Sequence, residues 1–305
     1  MLSGRNVMTP KAWKIVRGAR TAVQLLSLAV VSVAVAAGYS CLLTRMQIVP
    51  AMLACSVVWL LAWIVITVLV GRVYCSTVCP LGTFQDIMAR LGIRRRRGYF
   101  YTVAMTPLRW LTVIAAVAAA VMGLWEVVAL LDPYSEWADI INRLGIPAYE
   151  RVADALGRRP VLRAATVSLA SGAFTAVIAG VIVYVAATRG RRICNTVCPV
   201  GTLLGAVARL SVYHVDIDTD RCTGCNRCVE RCKGTCINPW EHTVDLSRCV
   251  VCLDCLDVCP NEAITFRRGR HRLQMPLMMP AAGYRFSRRM PSPRVLLTVR
   301  LVVGR

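Results

Sequence analysis

Two stretches of the chain, GRVYCSTVCPLGTFQDIMARL at residues 71–91 and GRRICNTVCPVGTLLGAVARL at residues 190–210, align without a gap and agree at twelve positions. Both thiols, the proline after the second thiol and the glycine two residues later belong to the shared set. An ungapped repeat points to a duplicated unit, and two copies related by an axis along a membrane normal set equivalent residues at the same depth. Pro80 and Pro199 suit the first position of a helix. After them Leu81, Phe84, Ile87, Met88 and Leu91, and likewise Val200, Leu203, Leu204, Val207 and Leu210, fall at helical spacing. Each copy therefore predicts an apolar helix, a thiol-bearing turn and an amphipathic helix lying along a membrane interface. Thiols at such a helix start are expected to ionise readily, because free amides and the helix dipole favour a thiolate.

The chain of 305 residues is 56% hydrophobic and carries a formal charge of +21, a pairing typical of a membrane protein with basic loops. Four apolar segments, at about 21–43, 48–70, 110–131 and 164–187, reach the roughly 20 residues that a spanning helix needs. The expected architecture is a membrane all-α four-helix domain at 21–210, a tandem two-helix repeat. A basic cytoplasmic N-terminus at 1–20 precedes it. Residues 1–20 hold Arg5, Lys11, Lys14, Arg17 and Arg20 with no acid, and the connection after the second segment holds Arg72, Arg90, Arg94 to Arg97 and Arg109 against Asp86 alone. The loop at 132–163 balances five arginines with five acids. The positive-inside rule then puts both termini and both Cys-x-x-x-Cys-Pro motifs on the cytoplasmic side of a bacterial inner membrane. With the charge placed in this way, lipid rather than nucleic acid is the expected partner. The first segment ends in VAVAAG, which looks like a signal-peptide cleavage site, but removing it would break the repeat, so a retained anchor is expected.

Eight of the fifteen cysteines form two runs, CTGCNRCVERC with Cys222, Cys225, Cys228 and Cys232, and CVVCLDCLDVCP with Cys249, Cys252, Cys255 and Cys259. Their spacing is that of a bacterial two-cluster ferredoxin, in which the fourth cysteine of each run serves the other cluster. The expected ligand sets are Cys222, Cys225 and Cys228 with Cys259, and Cys249, Cys252 and Cys255 with Cys232. HVDIDTDRC, TVDLSRC and AITF supply short strands around them, so a small α+β ferredoxin-like domain with two [4Fe-4S] clusters is expected at 211–267. Structural zinc prefers paired CxxC ligands and fits these runs poorly. Lys233 stands after Cys232 where many ferredoxins have proline, and Cys236 follows as a spare thiol or a replacement ligand. Cys75, Cys79, Cys194 and Cys198 form a further redox site, either a cluster or a pair of dithiols. Packing alone is the simpler reading of those four, and it is the favoured one for Cys41 and Cys55. Residues 268–305, basic and rich in proline, are expected to be a disordered tail on anionic lipid.

In its order of parts, GRVYCSTVCPLG, RRICNTVCPVG and then the two cysteine runs, the chain resembles the NapH/NosR/MauN group of membrane ferredoxins, with LDPYS at 131–135 similar to a loop motif of that group. The resemblance implies a quinol dehydrogenase component that passes electrons between the quinone pool and a redox partner protein. It also limits the cofactors. SLASGAF at 168–174 lacks the acid and the acceptor of a covalent flavin motif, and with no CxxCH and with His214, His242 and His271 outside the apolar segments, no haem is expected. Quinol oxidation needs a proton acceptor. Glu126, the one acid inside the apolar segments, is the candidate, although a carboxylate reaching for headgroups is the simpler reading. Asp132, before Pro133, reads as a turn or a helix cap rather than a catalyst. A membrane copper reductase or oxidase-assembly factor, and a redox sensor, are the alternatives.

Overall fold

The computed structural model describes residues 10–92, 98–157 and 168–269. The expected tail lies outside the described residues, apart from its first two. α1 (Pro10–Ala36) runs 27 residues, so residues 10–20 of the stretch expected as a separate N-terminus form the first turns of this helix, while 1–9 lie outside the described residues. After it come α2 (Leu42–Arg45), α3 (Ile48–Leu53), α4 (Val57–Val70), α5 (Val73–Thr77) and α6 (Pro80–Leu91). Then follow α7 (Thr106–Val121), α8 (Trp125–Leu131) and α9 (Pro133–Ile140), which passes through a π turn (Ile141–Gly145) into α10 (Ile146–Ala155). α11 (Leu169–Arg189), α12 (Arg192–Thr196) and α13 (Pro199–Ala208) complete the helical part.

Two helices, Trp13–Ala36 and Leu169–Arg189, are long and apolar enough to cross a membrane. The other two segments expected to span are each divided. Cys55, at φ 49°, separates α3 from α4, and Gly123, at φ 73°, separates α7 from α8. What remains is 14 residues in α4 and 16 in α7. At 1.5 Å per residue these reach only about 21 and 24 Å, short of a hydrocarbon layer of roughly 30 Å. The apolar faces of all four point outward. Leu25 and Val33 on α1, Val65 on α4, Ile114 on α7 and Val177 and Val181 on α11 are exposed, and a contiguous apolar exterior of this kind marks an interaction surface.

The repeat is carried into three dimensions. α4, α5 and α6 recur as α11, α12 and α13, and at the same point in each copy a glycine with positive φ, Gly71 at 87° and Gly190 at 65°, ends the apolar helix. α6 packs on α11 and α13 packs on α4, so each amphipathic helix lies against the apolar helix of the other copy. Ile48, Trp63, Tyr74, Leu81, Ile182 and Leu204 fill the core between them.

The C-terminal block holds β1 (Tyr213–Ile217) paired antiparallel with β4 (Ile264–Arg268), β2 (Ile237–Asn238) paired with β3 (Thr243–Val244), and a short helix α14 (Arg227–Arg231). The strands stand where the alternating flanks of the cysteine runs place them. The block is docked on the helices. Val212 donates its amide to the Val68 carbonyl at 2.8 Å, Trp13 meets Phe266 edge to face at 5.8 Å, and Arg17 pairs with Asp257 at 2.6 Å.

Candidate redox sites

Two cavities open in the C-terminal block. Cys222, Cys225, Cys228 and Cys259 line the first; Cys232, Cys249, Cys252 and Cys255 line the second, with Cys236 beside them. The chain thus brings together the two sets of thiols read from the spacing, including the exchange of the fourth cysteine between runs. The backbone around them is shaped for a negative group. Gly224 and Asn226 in the first run and Val251 and Leu253 in the second, at equivalent positions, take φ values of 68°, 58°, 52° and 61°. Alternation of left- and right-handed residues turns successive amides to one side and makes an anion-binding nest, a form found at iron–sulfur sites. Val251 and Leu253 adopt it without being glycine, at roughly 1–2 kcal/mol each. Burial pushes the Cys228 thiol up to about 11 and the Cys252 thiol up to about 12, so ionisation here depends on a metal that takes up the thiolate. Cys232 differs. A hydrogen bond with the Cys236 thiol, whose sulfur is 3.5 Å away, holds it down at about 7. Cys236 is itself buried at 2% exposure.

The second cavity touches the helical part. Val250 and Cys252 belong to the same buried cluster as Cys75, Cys79 and Cys198. Cys225, which lines the first cavity, is exposed.

The four thiols of the repeat, Cys75, Cys79, Cys194 and Cys198, are all buried. Three of them, Cys79, Cys194 and Cys198, do not ionise readily as the helix starts predict. Burial outweighs the helix dipole and raises Cys79, Cys194 and Cys198, with Cys194 at about 11. Charge on Cys79 would be opposed by Cys194, Cys75 and Cys198 alike, which sets all four within electrostatic reach of one another. Cys198 also accepts the Gly201 amide at 3.3 Å, and Cys194 donates to Gln85 Oε1 at 3.3 Å.

Equivalent arginines cross between the copies. Arg72 donates from Nη2 to the Cys194 carbonyl at 3.5 Å, and Arg191 donates from Nη1 to the Cys75 carbonyl at 2.5 Å. Gly82 and Gly201 make room for this. A Cβ on Gly82 would strike the Cys75 carbonyl, and one on Gly201 would strike the Cys194 carbonyl and the Arg72 guanidinium. Arg72 reaches on to the C-terminal block, donating from Nη1 to Asn195 Oδ1 at 2.8 Å and to the Ser247 carbonyl at 2.9 Å. Arg191 pairs with Asp86 at 2.7 Å, and Asp86 also receives Lys233 at 3.3 Å, Arg20 at 3.9 Å and the Gln24 amide at 2.9 Å. Burial alone would raise the Asp86 carboxyl, but Arg191 and Lys233 overcome it and hold the group well below the usual carboxylate range. Lys233 pairs with Asp254 at 2.9 Å as well, so the residue that breaks the ferredoxin pattern fastens the block to the repeat.

Sequence reasoning missed Arg72, Arg191, Gln85 and the role of Asp86. The signal was present in the Gly-Arg pair common to both copies and in a single acid among many arginines. Among the other candidates, Glu126 is exposed on the first turn of α8, with no ion pair or hydrogen bond among the described residues. Asp132 caps α9, accepting the Ser135 amide at 2.9 Å. Trp63 packs edge to face on Tyr74 at 4.9 Å. Cys55 lies exposed at the break before α4, so it does not pack as expected, and Cys41 is half-buried. Among the described residues, no three His, Cys, Asp or Glu side chains converge on a single metal ion. That holds for the ferredoxin thiols too, because a cube of iron and sulfide spreads its ligands over separate corners.

These features define an iron–sulfur protein, and comparison with known families agrees. A 4Fe-4S binding domain model matches residues 54–98 and again 171–217, so each copy of the repeat is an instance of one domain, and a second 4Fe-4S binding domain model matches 242–265. The chain is 26% identical over 184 residues to the "Putative electron transport protein YccM" of Escherichia coli K12, over 60% of this chain and 47% of that protein. It is 44% identical over 39 residues to "Uncharacterized protein MJ0749" of Methanocaldococcus jannaschii, over 13% of this chain and 16% of that protein. The matched stretches thus span less than half the length of either relative. No solved structure matches the chain. The chain carries 4Fe-4S ferredoxin domains and is similar to an electron transport protein.

Proposed function

We propose that the chain is an integral membrane electron carrier that exchanges electrons between the quinone pool and a redox partner protein, with its ferredoxin block on the cytoplasmic face of a bacterial inner membrane. Cys222, Cys225, Cys228 and Cys259 would hold one [4Fe-4S] cluster, and Cys249, Cys252, Cys255 and Cys232 the other. These clusters supply one-electron redox chemistry; the protein positions and shields them. The observation that carries the reading is continuity. The buried cluster around Cys75, Cys79 and Cys198 runs without a gap into Val250 and Cys252 at the second cavity, while the first cavity opens to the surface at Cys225. An electron taken up at the membrane edge is thereby led past the repeat thiols to the inner and then the outer site, where a partner reaches it. The apolar exterior of α1, α4, α7 and α11 supports lipid as the surrounding medium. Glu126, exposed at the start of α8, is the proposed acceptor of the quinol protons.

Reconstitution in liposomes tests this. A reduced quinol should bleach the cluster absorbance, and Glu126→Gln should slow that step while direct reduction by dithionite is unchanged. Copper-ion reduction without quinone dependence would replace the reading with that of a metal reductase. Redox-active clusters with no sustained turnover would indicate a sensor.

A further inference from the structure

The repeat buries more positive charge than it neutralises. Arg72 and Arg191 have no measurable exposure, and Arg20 and Lys233 are buried beside them. These four cations face only two buried carboxylates, Asp86 and Asp254. Arg72 pairs with neither, nor with any other carboxylate among the described residues. Burying an unpaired charge costs several kcal/mol, and such a group is retained only where an anion meets it. The buried donors left without an acceptor include three beside the thiols: Arg72 Nε, Arg191 Nη2 and Gln85 Nε2. All three belong to side chains that touch the thiol turns. Arg72 Nη2 stands 3.8 Å from Cys75 Sγ, Arg191 is bonded to the Cys75 carbonyl, and Gln85 takes the Cys194 thiol through its other amide atom.

Neutral thiols, or two dithiols passing between thiol and disulfide, would leave both the excess charge and these donors unanswered. A centre held by four thiolates is a net anion whose bridging sulfides accept hydrogen bonds, and four cysteines are the usual ligand set of either a [2Fe-2S] or a [4Fe-4S] centre. We infer that Cys75, Cys79, Cys194 and Cys198 together hold one iron–sulfur centre shared by the two copies of the repeat, with Arg72 and Arg191 as its counter-charges. It is therefore a third centre, resting on the electron-carrier reading and placed where a carrier must take electrons from the membrane. Duplication makes the site. Each copy supplies two ligands and the arginine that closes over the other copy's turn. Arg72 further ties this centre to the inner ferredoxin site, since its other nitrogen bonds the Ser247 carbonyl two residues before Cys249.

The test uses the full-length chain in detergent, purified anaerobically and reconstituted with ferrous iron and sulfide. Two [4Fe-4S] clusters account for about eight irons. The wild-type chain should bind two to four more, and Cys79→Ser and Cys198→Ser, one in each copy, should each remove the whole excess while the ferredoxin signals remain. Arg72→Gln should keep the iron but make this centre harder to reduce, since a positive charge favouring the added electron is gone. At a fixed poise its reduced-to-oxidised ratio should fall about tenfold, or about 59 mV in a redox titration followed by electron paramagnetic resonance. Arg72→Lys should recover most of that shift. About eight irons with both ferredoxin signals intact overturns the shared centre and leaves the carrier standing, whereas an iron-free chain overturns both. An excess of zinc, an excess lost with only one of the two serine variants, or a potential unmoved in Arg72→Gln also refutes the inference.

Discussion

Replacing Asp86 by asparagine keeps the shape of the side chain and removes one negative charge from a point where three cations meet. The carboxylate is 1% exposed and lies 2.7 Å from Arg191, 3.3 Å from Lys233 and 3.9 Å from Arg20. Breaking a buried ion pair by removing one partner costs about 3–5 kcal/mol, because the other charge stays behind unpaired. Here Arg191 and Arg20 stay behind, while Lys233 keeps Asp254. Asparagine can still bond to Gln24 and offer one oxygen to Arg191, which argues for the lower end, about 3 kcal/mol, or roughly two powers of ten in the folding equilibrium. The denaturant midpoint of the anaerobic protein in detergent, followed by circular dichroism and by cluster absorbance, reads this directly. A second signature lies in pH. The folded Asp86 carboxyl is held below its unfolded value of about 3.9, so its stabilisation is complete above that value and is lost as pH falls. Wild type should weaken from about pH 5 downward, and Asp86→Asn should lack that part of the acid slope. A variant within about 0.5 kcal/mol of wild type, with the same acid slope, would show that this ion cluster is not what holds the two copies together.

Gly82→Ala and Gly201→Ala each set a methyl against a backbone carbonyl of the thiol turn in its own copy. Overpacking of this kind costs about 1–3 kcal/mol, and loss of iron from the repeat with the ferredoxin spectrum intact should report it. Cys236→Ala removes the thiol bonded to Cys232, which would donate to a thiolate there, and should lower the potential of the inner ferredoxin cluster, because hydrogen bonds to sulfur favour the reduced state. Cys236→Ser, which keeps a donor, should shift it less. Loss of the cluster in both variants would instead make Cys236 a ligand.

The ferredoxin block was legible because its chemistry is local. Spacing alone places Cys222, Cys225 and Cys228 about one site, and alternation alone places β1 and β4. The duplicated helical unit was legible for the same reason, down to the proline that starts each amphipathic helix. Hydropathy failed at 48–70 and 110–131, since an apolar run sums the same whether or not Cys55 or Gly123 turns the backbone within it. Helix-start electrostatics also failed for Cys79 and Cys198. The dipole effect is worth at most a kcal/mol or two, and burial exceeds it. Neither the Arg72 contact with Asn195 nor the Lys233 contact with Asp86 could be assigned from sequence, because each joins residues more than a hundred positions apart.

Lys233 shows what such a contact does. In a free ferredoxin the residue after the fourth cysteine needs only to turn the chain, a task for which proline is suited. In this chain the same position must also hold the block against the helical repeat. Its carbonyl accepts the Arg191 amide at 3.0 Å, beside Gly190, where any side chain would strike it, and its ammonium spans Asp86 on the repeat and Asp254 on the block. Lys233→Met keeps the carbonyl and most of the volume but removes the charge. If docking is carried by the ammonium, Lys233→Met and Asp86→Asn will not add. The double variant should recover about 1–3 kcal/mol relative to the sum, the range found for residues that share one ionic network. Additivity within about 0.5 kcal/mol would mean that Lys233 and Asp86 act separately, and that the block is held by Val212, Trp13 and the Arg191 amide instead.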